Sequence, residues 1–332
     1  MADRDRLRVH FKNNRAGEEI FRVTPERLAA ACRRHPEIAA EIETLIDWDL
    51  DTFDASMSRA DVLVTWDLPT DGLARRAPNL KCIHIIGAGV DHMAPFDWLP
   101  KGVALTNNSG VHVAKFADYA ACALLMLNAA VPRLAASQRQ RRWDPVFTRP
   151  IAGTTVAVVG VGSMGGVVAR VAKGLGLRVL GVRRGGRPAR HVDDMVTPER
   201  LLEILPGADF VVVATPLTPE TEGLIGAEAI QAMKPGTGLV NVGRAPVVDH
   251  AALAAALREG RLSGAVLDVH EPEPLPPGSD LWATPNLLIT PHVAADDLAD
   301  YTPLTLDLVF VNLRRLLAGR PLLNRVRPRL GY

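Results

Sequence analysis

Cysteine is scarce in this chain, with three in 332 residues, at positions 32, 82 and 122. The number is odd and no CxxC or Cys/His ligand spacing occurs, so neither a disulfide framework nor structural zinc is indicated. Each cysteine is expected as a buried small residue. An excess of charge of one sign is missing too: 38 Lys and Arg stand against 37 Asp and Glu, a formal +1. No general field is therefore available to gather a nucleic-acid backbone or an anionic membrane surface. Any anion must be held by local arrangement. Long apolar runs are absent; the longest, Ala120 to Leu127, is far short of the ~20 residues of a membrane span. Met1 to Arg15 is charged and has no apolar h-region of a secretory signal, so a cytoplasmic location is expected.

What is present is an ordinary globular composition, 48% hydrophobic and 23% charged, which excludes intrinsic disorder. At roughly 100–200 residues per domain the length points to two domains. Short apolar strands alternate with helical segments, the pattern of an α/β fold with parallel sheets. Leu7 to Phe11, Asp61 to Trp66 and Lys81 to Ile86 read as strands, the last running into Gly87-Ala88-Gly89-Val90-Asp91. Thr24-Pro25 opens a helix, since Thr caps and Pro suits the first helical position. Ala114 to Val131, ended by Pro132, reads as one long buried helix. Further strands are expected at 155–159, 178–182, 210–214, 239–242, 265–269 and 287–289. Glu271 to Gly278, with four prolines, must be an extended loop. Leu304 to Leu317 is an amphipathic helix with Leu304, Leu308, Val311 and Leu316 on its apolar face, stopped by Gly319.

Gly160-Val161-Gly162-Ser163-Met164-Gly165 follows a strand and opens a helix, and the next strand ends at Arg183. In that context GxGxxG is a dinucleotide signal. Gly160 permits the tight turn, Gly162 lets a pyrophosphate approach the backbone, and Gly165 allows close helix–strand packing. An NAD-binding unit usually ends its second strand with Asp or Glu for the ribose hydroxyl. Here Arg183 and Arg184 stand instead, and guanidinium matches a 2′-phosphate in charge and forked geometry. NADP(H) is therefore expected over NAD(H). Arg244, Glu273 and His292 each follow a strand, and in a doubly wound sheet such residues converge outside the carboxyl ends of the strands.

GVGSMGG at Gly160, PLTPET at Pro216, NVGRAPVVD at Asn241, LDVHEPEPLP at Leu267 and TPH at Thr290 resemble the D-isomer-specific 2-hydroxyacid dehydrogenases. The resemblance covers nearly the whole chain. It implies two doubly wound, Rossmann/flavodoxin-like domains: a discontinuous substrate domain of residues 1–110 and 296–332, and an NADP-binding domain of residues 111–295. It implies hinge closure, a homodimer, and Arg244, Glu273 and His292 as the catalytic set, with Glu271 the weaker candidate. Asp268 would hold the nicotinamide carboxamide, and Thr215, Pro216, Thr221, Val242 and Gly243 would line the cofactor together with Ser163 and Met164. The amides of Ala88 and Gly89, with Arg244 and His292, would take the substrate carboxylate and keto oxygen. No metal is implied.

The chemistry asks for these residue types. Reducing a 2-keto acid needs a proton for the carbonyl oxygen, which His292 can give, and a neighbouring Glu273 raises its pKa and fixes the ring. Arg244 offers a fork to a carboxylate. A small 2-keto acid, glyoxylate or hydroxypyruvate, is the expected substrate.

Some positions depart from the family pattern. Asp118 stands where relatives have Glu, and Val293 to Asp297 replaces a Gly/Ser-rich run. His112 is read as a satisfied loop histidine sooner than a substrate contact, His84 as core. Trp143, after the basic run 139–142, is either a dimer contact or a solvated helix end. Another acid specificity such as phosphoglycerate, which the end at Tyr332 without a regulatory domain disfavours, and a non-catalytic dinucleotide-sensing corepressor remain the alternatives.

Overall fold

Runs of Val, Ile and Leu pair as parallel strands in two separate sheets, in a computed structural model that describes residues 6–332. The chain divides into two compact units, one running up to His112 and resuming at Asp297–Tyr332, the other comprising Val113–Asp296. The first holds β1 (Leu7–Asn13), β2 (Ile42–Trp48), β3 (Val62–Thr65), β4 (Cys82–Ile85) and β5 (Ala104–Asn107), in the order β2-β1-β3-β4-β5. The second holds β6 (Thr155–Val159), β7 (Arg178–Val182), β8 (Asp194–Val196), β9 (Phe210–Val213), β10 (Gly238–Asn241), β11 (Gly264–Leu267) and β12 (Leu287–Ile289). Their order is β12-β11-β10-β9-β6-β7-β8, every pair parallel.

Both are doubly wound, so the chain reverses direction across each sheet once: between β1 and β3 in the first unit, between β6 and β9 in the second. Loops diverge at such a switch point and leave a crevice at the strands' carboxyl ends. The interior strands are apolar along their whole length, since helices cover both faces: Val156, Ala157, Val158 and Val159 of β6 and Ala265, Val266 and Leu267 of β11 are all buried.

Three expectations need correction. The helix expected from Ala114 to Val131 is two helices, Val113–Asn128 and Val131–Arg139, bent by 67°. Ala130 turns left-handed at φ 54° and Pro132 lies in the first turn of the second helix, where its missing N–H costs nothing, so it starts a helix instead of ending one. No single helix among the described residues is long and apolar enough to cross a membrane, and this bent pair, which reaches the length together, buries Phe116, Leu124 and Leu127 in a protein core. The C-terminal helix, Tyr301–Leu317, turns a different face inward: Leu306, Val309, Phe310 and Leu313 are buried, with Thr302, Thr305 and Asn312 at its polar margin, while Leu304 is exposed. Gly319 does stop it, at φ 62°, its N–H bonded to Leu316 O and that of Arg320 to Arg315 O. Of the cysteines only Cys82 is buried; Cys32 is half-buried, and Cys122 is exposed on the outer side of its helix.

Phe310 is fully buried between the C-terminal helix and the first sheet's apolar face, against residues such as Val9, Phe11 and Val62. Phe310→Ala is expected to cost about 3–5 kcal/mol through lost burial plus a cavity, read as a lower urea midpoint. A loss within about 1 kcal/mol would mean that the site collapses around the smaller side chain.

Candidate active site

The turn after β6 is shaped by close approaches. Gly160 has φ 99°, and a Cβ there would lie 2.6 Å from Thr215 Cγ2 and 2.8 Å from the Ala214 carbonyl carbon, across the crevice between β6 and β9. A Cβ on Gly165 would overlap the Gly160 carbonyl oxygen, whereas one on Gly162 would meet nothing within 4 Å. The turn is therefore tightly packed behind and open in front, where the helix Ser163–Gly174 presents its first N–H groups and positive dipole end. Thr215 packs its methyl on this turn, and its Oγ1 is buried with no hydrogen-bond partner among the described residues. An open amide cradle beside an orphaned hydroxyl fits a dinucleotide phosphate, and a ligand oxygen there would resolve the cost of the unpaired group. Ser163 is exposed and Met164 half-buried against the core. Thr221 turns inward, its hydroxyl donating to Pro216 O at 2.7 Å and accepting from Thr218 N at 2.8 Å, so it braces the loop. Arg183 and Arg184 are exposed at the end of β7, and Arg184 Nη2 lies 3.6 Å from Glu220.

Along the edge formed by β10, β11 and β12, the structure brings His292 and Glu273 together. His292 Nδ1 donates to Glu273 Oε2 at 2.8 Å, and Glu273 Oε1 accepts the His270 N–H at 2.8 Å. Both carboxylate oxygens are thus committed, and the ring is held with Nε2 free of this pair. The Glu273 hydrogen bond raises the His292 pKa above its ordinary value against desolvation and the nearby positive charge of Arg244. Burial pushes the Glu273 carboxyl up, but the bonds from His292 and His270 outweigh it and leave it below the usual range. Arg244 follows β10, with Nη1 donating to Gly243 O at 2.8 Å and its carbonyl accepting from Asn241 Nδ2 at 3.0 Å. Asn241 Oδ1 in turn accepts the Gly243 N–H at 3.0 Å, so one buried side chain braces the turn that carries the guanidinium.

Asp268 is buried and spoken for. Oδ1 accepts the Thr290 hydroxyl at 2.6 Å and Val293 N–H at 3.0 Å, and Oδ2 accepts Ala294 N–H at 3.0 Å. Three donors leave a carboxylate with acceptor capacity for one more, on Oδ2. Burial raises its pKa against those donors. The Thr290 hydroxyl also meets Tyr119 OH at 2.7 Å, tying the helix Val113–Asn128 to the same loop. Asp296, in the segment that departs from the family, is pushed up to about 6 by burial.

In the other unit, Gly87 is buried, Ala88 exposed and Gly89 half-buried, and the N–H groups of all three donate to no acceptor among the described residues. A nest of this kind suits a carboxylate. His84 is buried, as an apolar strand suggests. His112 is not the satisfied loop histidine expected: it is buried, stacked on Tyr301 at 3.9 Å between centroids, with Nδ1 lacking a partner. Sequence reasoning missed Thr290, Tyr119, Asn107 and Asn108, whose bonds reach across as many as 197 residues of chain. Asp118 is exposed on its helix. Among the described residues no cluster of His, Cys, Asp and Glu could hold a metal ion.

The family model described as "D-isomer specific 2-hydroxyacid dehydrogenase, NAD binding domain" matches residues 121–294. A glyoxylate reductase of Korarchaeum cryptofilum is 38% identical over 231 residues, which span 66% of this chain and 68% of that protein. A D-isomer specific 2-hydroxyacid dehydrogenase from Xanthobacter autotrophicus Py2, crystallised with NADPH and MES, superposes with a TM-score of 0.84 at 33% identity, covering 99% of this chain and 100% of that one. An NADPH-dependent glyoxylate/hydroxypyruvate reductase from Sinorhizobium meliloti, crystallised with NADP and sulfate, gives a TM-score of 0.79 at 27% identity, covering 98% and 99%.

The Glu273–His292 bond makes a prediction that needs no substrate. In Glu273→Gln the charge that favours imidazolium is gone, so the His292 pKa should fall, read from its ring-proton shift in an NMR titration. An unchanged midpoint would mean that Glu273 does not govern the proton on His292.

Proposed function

This chain belongs to the D-isomer specific 2-hydroxyacid dehydrogenase family, and from that membership we propose that it is an NADPH-preferring reductase of small 2-keto acids, with glyoxylate and hydroxypyruvate as its substrates. The observation that carries the reading is the 2.8 Å bond from His292 to Glu273, which holds a raised-pKa imidazole with Nε2 available.

The cofactor, when bound, supplies the hydride that adds to the keto carbon. Gly160, Gly162 and the N-terminus of the helix opening at Ser163 would hold its pyrophosphate, with Thr215, Pro216, Val242 and Gly243 around it. The acceptor capacity remaining on Asp268 Oδ2 would take its carboxamide. His292 keeps its proton on Nε2 while Glu273 accepts from Nδ1, and gives that proton to the keto oxygen as the carbon is reduced; in the reverse direction Nε2 takes it back. The sign follows from the raised pKa: reduction needs imidazolium and fails as pH rises through that pKa, while oxidation gains. Arg244 offers its guanidinium to the carboxylate and polarises the keto oxygen. The Ala88 and Gly89 amides receive the carboxylate as well. Intact Arg244, Glu273 and His292 favour an enzyme over a dinucleotide sensor.

Arg183 and Arg184 support the choice of NADP(H), because both are exposed where a 2′-phosphate would stand and no carboxylate ends β7. We propose further that the protein is a homodimer that uses the segment after the helix Val131–Arg139, where Trp143 and Phe147 are 95% and 94% exposed.

Turnover is followed at the nicotinamide absorbance with glyoxylate, hydroxypyruvate, pyruvate and phenylpyruvate. NADPH should be oxidised faster than NADH, and His292→Ala should abolish reduction while leaving cofactor affinity intact. No turnover with any acid, or retained activity in that variant, contradicts the assignment. Replacing Arg183 and Arg184 by Ala should weaken NADPH binding about 10- to 100-fold, as expected for loss of charge-assisted hydrogen bonds, and leave NADH binding nearly unchanged. An equal loss for both nucleotides would remove the arginines from phosphate recognition. Light scattering should give twice the chain mass, falling to one in Trp143→Glu; a monomeric wild type would refute the dimer.

A further inference from the structure

The 87–89 turn has spent its carbonyls and kept its N–H groups. Ile86 O accepts from Asn108 Nδ2 at 2.5 Å and from the Tyr301 hydroxyl at 2.9 Å. Gly87 O accepts the backbone N–H of Asn108 at 2.9 Å, and Ala88 O accepts Asn107 Nδ2 at 2.7 Å. Three successive carbonyls are therefore drawn toward the end of β5. Because the peptide unit is planar and trans, fixing the carbonyl of one residue fixes the N–H of the next on the opposite side. The N–H groups of Gly87, Ala88 and Gly89 are thereby turned away from their own scaffold, and none donates to an acceptor among the described residues.

We infer that Asn107 is a positioning residue that, by holding Ala88 O, aims the Gly89 amide at the substrate carboxylate, while Asn108 fixes the turn before it through its backbone N–H on Gly87 O and its Nδ2 on Ile86 O. The inference rests on the reductase reading and adds to it the device that sets the nest. An asparagine amide works here only if its NH2 end faces the carbonyls, and the surroundings dictate that. His84 Nε2 lies 2.9 Å from Asn108 Oδ1, while its Nδ1 meets the Thr106 hydroxyl at 2.9 Å. Ile86 O can only accept, and the Thr305 hydroxyl, which donates to Tyr301 O at 2.8 Å, accepts from Asn108 Nδ2 at 2.7 Å, so the NH2 end faces these two and Oδ1 is left to accept from His84 Nε2. Burial holds the His84 pKa down at about 4, which keeps the ring neutral and the relay in one sense. Asn107 is oriented likewise: its Oδ1 accepts the Ser109 N–H at 3.1 Å, leaving Nδ2 for Ala88 O.

The test compares Asn107→Ala and Asn107→Asp with Asn324→Ala. Asp keeps an acceptor for Ser109 but sets an oxygen against Ala88 O; Asn324 ties the same strand end through Asn107 O and Ser109 O and touches no carbonyl of the turn. Expected are a rise in KM for glyoxylate of about tenfold in Asn107→Ala and more in Asn107→Asp, with kcat within about twofold, as for loss of an interaction made equally in ground and transition states. The dissociation constant of oxamate, a carboxylate analogue of 2-keto acids, should rise in parallel by calorimetry, and that of NADPH should stay put. Asn324→Ala, matched for loss of thermal stability, should leave KM unchanged. Equal KM values in wild type and both Asn107 variants, or an equal rise in Asn324→Ala, overturn the positioning role alone. A wild type that binds NADPH but neither oxamate nor any 2-keto acid overturns this role and the substrate reading together.

Discussion

The buried carboxylate of Asp268 holds the geometry on which the His292 end of the second sheet depends. His292 occupies the left-handed region at φ 56°, which a residue with a Cβ adopts only when its surroundings impose it. Those surroundings are the turn closed by His292 N–H on Thr290 O and, on either side of the histidine, the three donors gathered by Asp268 from Thr290, Val293 and Ala294. Backbone strain of about 1–3 kcal/mol is offset by charge-assisted hydrogen bonds to a group that burial makes strongly interacting. The carboxylate is thus a structural anchor first, with one acceptor position on Oδ2 not used by these three donors.

The same economy runs through the rest of the molecule. A total charge of +1 offers no long-range attraction for a dinucleotide or an acid. The proposed contacts with anions draw instead on N–H groups left over where strands end: at Gly160 and Gly162 because a helix begins there, at Ala88 and Gly89 because asparagines consume the carbonyls. Amides fixed in this way are neutral and preorganised, so they lose little on binding and select by geometry. In the proposed reading guanidinium groups are added where a doubly charged phosphate or a planar carboxylate would have to be matched, at Arg183, Arg184 and Arg244.

Much of this was legible in the chain. Interior parallel strands announce themselves as short apolar runs, and β6 and β7 fall on the residues expected, as does the edge strand β12. The edge strand β2 was missed because Glu43, Thr44 and Leu45 face solvent and its apolar pattern is correspondingly thin. The break after Asn128 was missed because Ala129 and Ala130 carry no turn signal; the left-handed residue is an alanine, and Pro132 reads as a stop or a start with equal ease. The C-terminal helix was given the wrong face since Thr302, Thr305 and Asn312 are buried by satisfied hydrogen bonds that hydropathy cannot foresee. In the site, motif residues were visible one by one. Their supports were not: Tyr119 meets Thr290 and Asn108 meets Thr305 across 171 and 197 residues, pairings that only the folded chain reveals.

Three carboxylates lie around His292, and the structure gives them unequal parts. Asp268 and Asp296 are both raised by burial, Asp296 to about 6, and neither makes a hydrogen bond with the imidazole. Glu273 alone accepts from it and alone is held below the ordinary range. Were all three to stabilise imidazolium, the histidine would keep its proton too firmly to release it to a substrate oxygen. Asp268 commits its oxygens to the Thr290 hydroxyl and two backbone N–H groups and adds only a lesser charge effect on the imidazole, and desolvation limits the ionisation of Asp296. The proton on the imidazole is therefore governed chiefly by one partner, Glu273, whose hydrogen bond raises its pKa.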